Sequence, residues 1–314
     1  MTQDQGQPAS EAAAVPSRTG LVWSITNVAG RPAAYGRAGD GPPIVFLHGW
    51  ALGLRAYRRC LGEMARQGMS VLAPALPGFG GTAELPGSER SLAGYAEWVA
   101  EFLETLGAEG PALVVGHSFG GGVAIRLAHD RPELVRGLVL VNSIGGSAWE
   151  SGGGTLRSMA ERPLWDWGIH FPADLWPAGQ IRRVLPVVVS ESVPNLLRHP
   201  STFVKVADVA RRADLSEELA ELNRRRLPVV VLWGRRDQII TRASVDALCD
   251  ALGGAAPVTV AGGHSWLLAD PAGFGEVMTN VVQLADEARN LPSRAAAPAS
   301  AESLAARRGL SASG

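Results

Sequence analysis

The sequence predicts an α/β protein built on a mostly parallel sheet with helices on both faces. Three observations carry this. Apolar runs of strand length, such as Pro43-Ile44-Val45-Phe46-Leu47 and Pro111-Ala112-Leu113-Val114-Val115, show no polar alternation, as strands buried on both faces should. These runs alternate along the chain with segments of helical period. One strand-to-helix junction, Gly116-His117-Ser118-Phe119-Gly120, sets a serine between glycines at the apex of a sharp turn.

Taken in order, residues 21–28 and 32–37 read as two opening strands, and 43–47 as a third that ends in His48-Gly49-Trp50. A helix over about 55–67 follows, then a strand at Ser70-Val71-Leu72-Ala73-Pro74 running into Leu76-Pro77-Gly78-Phe79-Gly80-Gly81. Residues 91–106 form a helix with Leu92, Tyr95, Val99, Phe102, Leu103 and Leu106 on one face. The Ser118 strand and helix come next, and then a sixth strand over 135–141. There the alternation breaks. Residues 144–226 are helical and irregular, open with flexible glycines and carry Trp149, Trp165, Trp167 and Trp176; they read as a helical lid inserted after strand 6. The pattern resumes with a strand at 228–233, a helix over 242–251, a short strand at 258–260 and a last helix after His264. The expected organisation is a tail (1–20), a first core part (21–143), the lid (144–226), a second core part (227–289) and a second tail (290–314).

Composition narrows the function. The 314 residues suffice for one large α/β domain with an insertion. A formal net charge of −1 gives no reason to expect a nucleic-acid partner. The two cysteines, Cys60 and Cys249, lie far apart in predicted helices and read as buried structural thiols. No apolar run is long enough to span a bilayer and the N-terminal stretch lacks the pattern of a secretory signal, so the expected location is cytoplasmic. Gly78-Phe79-Gly80-Gly81 and Gly152-Gly153-Gly154 lack the patterns of nucleotide-binding loops.

The chemistry follows from what Ser118 needs. A serine hydroxyl is a weak nucleophile without a base beside it, and near neutral pH that base is best a histidine. Of six histidines, His264 stands out in Ala261-Gly262-Gly263-His264-Ser265-Trp266, just past a short strand and ahead of a helix. An acid must orient the ring. Asp237, in Trp233-Gly234-Arg235-Arg236-Asp237, follows the apolar strand from Pro228 and so sits at the sheet edge where open α/β folds build sites. The other strand end that could carry the acid reads Val141-Asn142-Ser143, with no carboxylate, and Asp270 before Pro271 reads as a helix cap. The backbone N–H groups of Trp50 and Phe119 are the candidate oxyanion donors. His48, Trp165, Trp167 and Trp266 are candidate substrate contacts, although the lid tryptophans and Phe171 serve equally well as anchors of the lid.

His48-Gly49-Trp50, Leu76-Pro77-Gly78-Phe79-Gly80, Gly116-His117-Ser118-Phe119-Gly120-Gly121, Gly234-Arg235-Arg236-Asp237 and Gly263-His264 together resemble the successive signatures of the α/β-hydrolase fold family, over about residues 21–284. The resemblance implies an eight-stranded, mostly parallel sheet with a helical lid. It implies Ser118, Asp237 and His264 as a catalytic triad, with the Trp50 and Phe119 amides as oxyanion hole. Within the family the chain is most similar to the lidded group of esterases, carbon–carbon bond hydrolases, non-haem haloperoxidases and epoxide hydrolases; a serine at position 118 disfavours the members that use aspartate there. Ala75 departs from the aspartate many relatives carry before Leu76-Pro77-Gly78. The expected activity is acyl-serine hydrolysis of a small to medium, mostly apolar ester, thioester or lactone, with no metal or organic cofactor. Hydrolysis of a meta-cleavage-type diketone uses the same residues, and a ligand-sensing protein on the same scaffold is the reading from outside enzymology.

Overall fold

Alternate residues of the central strands feed two different hydrophobic cores. In the third strand Val45 and Leu47 pack into one core and Ile44 and Phe46 into the other. Val114 faces Leu113 and Val115 in the same way, and Leu138 and Leu140 face Val139 and Val141. Successive strand side chains point to opposite faces, so a continuous apolar run is the residue pattern that a sheet covered on both sides requires.

The structure, a computed structural model, describes residues 20–108, 110–146 and 178–290. The strands are β1 (Val22–Val28), β2 (Arg31–Ala38), β3 (Pro43–Leu47), β4 (Ser70–Pro74), β5 (Ala112–His117), β6 (Val135–Val141), β7 (Val229–Gly234) and β8 (Val258–Val260). They form one eight-stranded sheet in the order β1-β2-β4-β3-β5-β6-β7-β8. β2 pairs antiparallel with β1 and β4, and every other pairing is parallel.

The helices are α1 (Arg58–Arg66), α2 (Leu92–Thr105), α3 (Phe119–Asp130), α4 (Ala178–Arg198), α5 (Pro200–Arg211), α6 (Ser216–Arg224), α7 (Arg242–Ala251), α8 (Trp266–Ala269) and α9 (Pro271–Asn290). α2, α3, α6 and α7 cover one face, with α2 against α3 and α6 between α3 and α7. α1, α8 and α9 cover the other. The predicted face of α2 is the one that packs: Tyr95, Val99, Phe102 and Leu103 are buried, and Ser91 caps the helix by accepting the Gly94 N–H at 3.2 Å. α4, α5 and α6 fall between β6 and β7, where the lid was expected. Trp149, Trp165, Trp167, Phe171 and Trp176 lie outside the described residues.

Two predicted helices differ in detail. The segment expected to be helical from about Arg55 begins as a 3₁₀ turn over Leu54–Tyr57 before α1 starts. The last helix is broken at Asp270-Pro271. Proline disfavours the helical region for the residue before it, and Asp270 sits at φ −130°, ψ 74°. Its carboxylate then accepts the Gly273 N–H at 3.1 Å and caps α9, as expected. Cys60 and Cys249 are both buried free thiols, and burial pushes the Cys249 thiol up to about 12. Among the described residues no helix is long and apolar enough to cross a membrane.

Candidate active site

Ser118 joins β5 to α3 at φ 53° and ψ −116°, a left-handed conformation that a non-glycine residue adopts at a cost of order 1–3 kcal/mol. Backbone contacts hold it there: the Ser118 N–H donates to Val141 O at 3.0 Å, and its carbonyl accepts from Gly121 N at 3.0 Å. The turn is tight enough to exclude side chains on either flank. A Cβ on Gly116 would lie 2.5 Å from Gly120 O, and one on Gly120 would lie 2.3 Å from Leu47 O.

Asp237 lies in the loop after β7, with its side chain fully buried. One carboxylate oxygen accepts the N–H groups of Ile239 and Ile240 at 2.7 and 2.8 Å. The other accepts from His264 Nδ1 at 2.9 Å and from the side-chain amide of Asn142. The Arg235 and Arg236 amides donate to Val260 O and Gly262 O at 3.0 and 2.8 Å, which ties the histidine loop to the aspartate loop. A proton on His264 Nδ1, facing the carboxylate, leaves Nε2 as the basic nitrogen.

Ser118 and His264 line a cavity of about 280 Å³ with Trp50, Val188, Phe203, Ala210 and Ile239 among its walls. Those walls are mainly apolar. Val188 belongs to α4 and Phe203 and Ala210 to α5, so these two helices close the space over the serine, while α6 packs on the sheet-covering layer between α3 and α7. Trp50 is fastened to that cover: its Nε1–H donates to Phe203 O at 2.9 Å and the two rings are 4.6 Å apart. Asn195 of α4 is a second fastening, donating to Ala51 O at 3.0 Å and accepting from Gly80 N at 3.2 Å.

The remaining candidates divide. Phe119 is the first residue of α3 and its buried ring packs edge-on against Tyr95 at 5.1 Å, leaving only its main chain near the serine. His48, expected to touch substrate, instead lies fully buried beneath the cavity wall. Its Nδ1–H donates to Gly49 O at 2.9 Å and its Nε2 accepts from Leu76 N at 2.8 Å. Both nitrogens therefore serve the backbone, and desolvation lowers its pKa from 6.5 to about 4. Gly49 O belongs to the same planar peptide as the Trp50 N–H, so His48 orients that peptide rather than a ligand. Trp266 is also buried, with its Nε1–H donating to Asn142 Oδ1 at 3.0 Å, and it does not line the cavity. Trp165 and Trp167 are outside the described residues.

Sequence reasoning missed Asn142, Asn195 and Tyr57. In the sequence Asn142 reads only as a strand end lacking a carboxylate, and its position directly after β6 is the available signal. Nothing in the local sequence marks Asn195 or Tyr57.

The sheet order, with a helical cover entering after β6 and Ser118, Asp237 and His264 carried on loops at the carboxyl ends of β5, β7 and β8, is that of an α/β hydrolase. Comparison with known proteins agrees. Residues 44–277 match the sequence profile of the Alpha/beta hydrolase family, and the chain belongs to that family. Over 241 residues it is 33% identical to the dihydrolipoyllysine-residue acetyltransferase component of the acetoin cleaving system of Cupriavidus necator, covering 72% of this chain and 60% of that protein. It is 26% identical over 259 residues to the pimeloyl-[acyl-carrier protein] methyl ester esterase of Aeromonas salmonicida, covering 77% of this chain and 96% of that one. Its fold superposes on the bromoperoxidase of Bacillus anthracis with a TM-score of 0.69 at 16% identity, over 83% of this chain and 99% of that one.

Proposed function

We propose that this protein is a serine hydrolase that cleaves a small to medium, mostly apolar ester, thioester or lactone through an acyl-Ser118 intermediate. The observation that carries the reading is the pairing of two features around one cavity: a serine held at positive φ, and a histidine whose Nδ1 is bonded to a buried aspartate.

Ser118 attacks the carbonyl carbon while His264 Nε2 takes its proton. Asp237 stabilises the imidazolium and keeps the ring in place. The oxyanion rests on the Trp50 and Phe119 amides, a donor pair of the kind whose single loss costs about 10²–10³ in turnover. His264 then passes its proton to the leaving group and activates water for deacylation. The apolar walls Val188, Phe203, Ala210 and Ile239 favour an uncharged acyl chain.

Fluorophosphonate labelling followed by mass mapping tests the assignment: the reading expects modification at Ser118. In a panel of p-nitrophenyl esters of increasing chain length, Ser118→Ala should reduce turnover by at least about 10³ with the fold retained. Wild-type turnover by that variant would refute the proposal.

A further inference from the structure

A buried hydrogen-bond chain runs between the loop that carries the Trp50 amide and the loop that carries His264. The Gly49 N–H donates to the Tyr57 hydroxyl at 3.1 Å. That hydroxyl lies 2.9 Å from His117 Nδ1, and His117 Nε2 lies 3.1 Å from His264 O. Tyr57 and His117 are essentially inaccessible to solvent.

The protons along this chain have one consistent arrangement. A carbonyl only accepts, so the proton at the His264 end must sit on His117 Nε2. In a neutral ring Nδ1 is then bare and accepts from the Tyr57 O–H. The tyrosine oxygen, which keeps its proton and donates it as a hydrogen bond to Nδ1, accepts in turn from the Gly49 N–H. A charged His117 ring would put a second proton on Nδ1, facing a hydroxyl that already receives the Gly49 N–H. The Tyr57 proton would then have no acceptor along the chain. The groups around His117 are Tyr57 from the 3₁₀ turn, His264 from the loop after β8, His48 from the loop after β3 and Ser118 beside it. None is an anion. Burial and the neighbouring His264 hold His117 well below the usual histidine range, in agreement with a neutral ring.

The contact is close as well as directional. A Cβ on Gly49 would lie 3.0 Å from His117 Nδ1, 3.2 Å from the Tyr57 oxygen and 3.3 Å from Ser118 Cβ. A side chain at position 49 would therefore press on His117, Tyr57 and Ser118 together, all of which border the cavity, and the chain ends on the main chain of His264.

We propose that Tyr57 and His117 are positioning residues that lock the Gly49-Trp50 loop and the His264 loop at a fixed separation across Ser118. The proposal rests on the serine-hydrolase reading above. Both side chains border the cavity beside Ser118, yet their polar atoms are engaged with each other, with Gly49 and with His264 O. Their work is to prevent the sub-ångström drift between oxyanion donor and base to which acyl transfer is sensitive, a misplacement of about 1 Å costing up to about 10²-fold in rate.

Three measurements test it on the full-length protein. First, Tyr57→Phe should lower kcat for a p-nitrophenyl ester about 10–100-fold with KM within about threefold; unchanged kcat per folded molecule would overturn the proposal. Second, His117→Gln keeps a donor near the Nε2 position and His117→Leu fills similar volume without one, so the glutamine variant should retain more kcat than the leucine variant. The reverse order would show that the site requires only volume. Third, hydrogen exchange gives a readout free of activity: Tyr57→Phe should speed exchange at both residues 47–52 and residues 262–266, and an effect confined to the first segment would overturn the coupling. If wild-type Ser118 resists the fluorophosphonate, the hydrolase reading fails, while the exchange experiment still decides whether the two loops are locked together.

Discussion

Asn142, the first residue after β6, donates its side-chain amide to the carboxylate of Asp237, which stands in the loop after β7. Asn142 is itself at φ 46°, and its side-chain Oδ1 accepts the Trp266 indole N–H at 3.0 Å. The strand end without a carboxylate therefore still reaches the candidate site, through a hydrogen bond to the carboxylate that the loop after the neighbouring strand supplies. Asp237→Asn should drop kcat by about 10⁴ with little effect on the fold, because an amide there favours the wrong imidazole tautomer. Asn142→Ala should keep more activity than that, yet lower the unfolding free energy by about 1–3 kcal/mol because Trp266 Nε1 loses its acceptor. Steady-state kinetics and urea denaturation on both variants check the pair; equal loss of kcat in the two would contradict the assigned division of roles.

Stability should depend on pH through two buried histidines. His48 is lowered to about 4 by desolvation, and His117 is lowered well below 6.5 by desolvation and by His264. In the unfolded chain both take up protons near pH 6.5, while the folded protein resists protonation until lower pH. The unfolded state therefore binds more protons in this window, so their contribution is complete above about pH 6.5 and is lost as the pH falls toward 4. For His48 alone this is on the order of 3 kcal/mol. Glu191, raised mainly by burial, acts in the opposite sense. Urea midpoints at pH 8, 6 and 5 should fall in that order, and His48→Gln should flatten the dependence.

Gly120→Ala should be among the most damaging single changes in the core. The added methyl would lie 2.3 Å from Leu47 O and 2.6 Å from His48 O, both backbone atoms that cannot turn aside. Either α3 or the loop after β3 must move, at a typical cost of about 1–3 kcal/mol, and that loop carries a candidate oxyanion amide. A thermal melt and an ester assay should both show loss, with activity falling further than the fraction of unfolded protein explains.

Asn195 joins α4 to two core loops at once, through Ala51 O and Gly80 N. Asn195→Ala strands both partners in a site where Asn195 itself is only 4% exposed. Hydrogen exchange in α4 should accelerate, and KM should change more than kcat, since the cover is released while the serine and histidine stay where they are. Exchange in α4 identical to that of the wild type would show that the cover is held elsewhere.

Phe203 sets one wall of the cavity and also receives the Trp50 indole. Phe203→Ala should shift the ester preference toward longer or bulkier acyl chains. A change of about tenfold or more in the ratio of kcat/KM for a long and a short ester is expected, on the scale of a few buried methylenes. Competition between two p-nitrophenyl esters measures it directly.

Much of this was legible in the chain. Apolar runs marked the buried strands, because a strand covered on both faces carries apolar side chains at both parities through its middle, with polar residues such as His117 and Arg136 only near its ends. Glycines at 116 and 120 marked the turn at Ser118, because only they fit beneath it. Ser118, Asp237 and His264 were picked out by the glycines beside the serine and histidine, by the strand end before the aspartate and by the resemblance to a known family. What could not be read was which way side chains turn once the strand ends meet. His48 looked like a ligand contact by its place after β3, but it is turned inward to Gly49 O and Leu76 N. Trp266 was expected at the substrate and faces Asn142.

Local sequence thus determined the strands, the constrained turn at Ser118 and the residue types available for chemistry, since these depend on side-chain periodicity and backbone sterics within a few residues. Tertiary structure alone decided that Asn142 supports Asp237, that Tyr57 and His117 bridge Gly49 to His264, and that Asn195 holds α4 down. All but the Gly49–Tyr57 contact join residues distant in the chain, and each gives a buried donor or acceptor the partner that packing brings within about 3 Å.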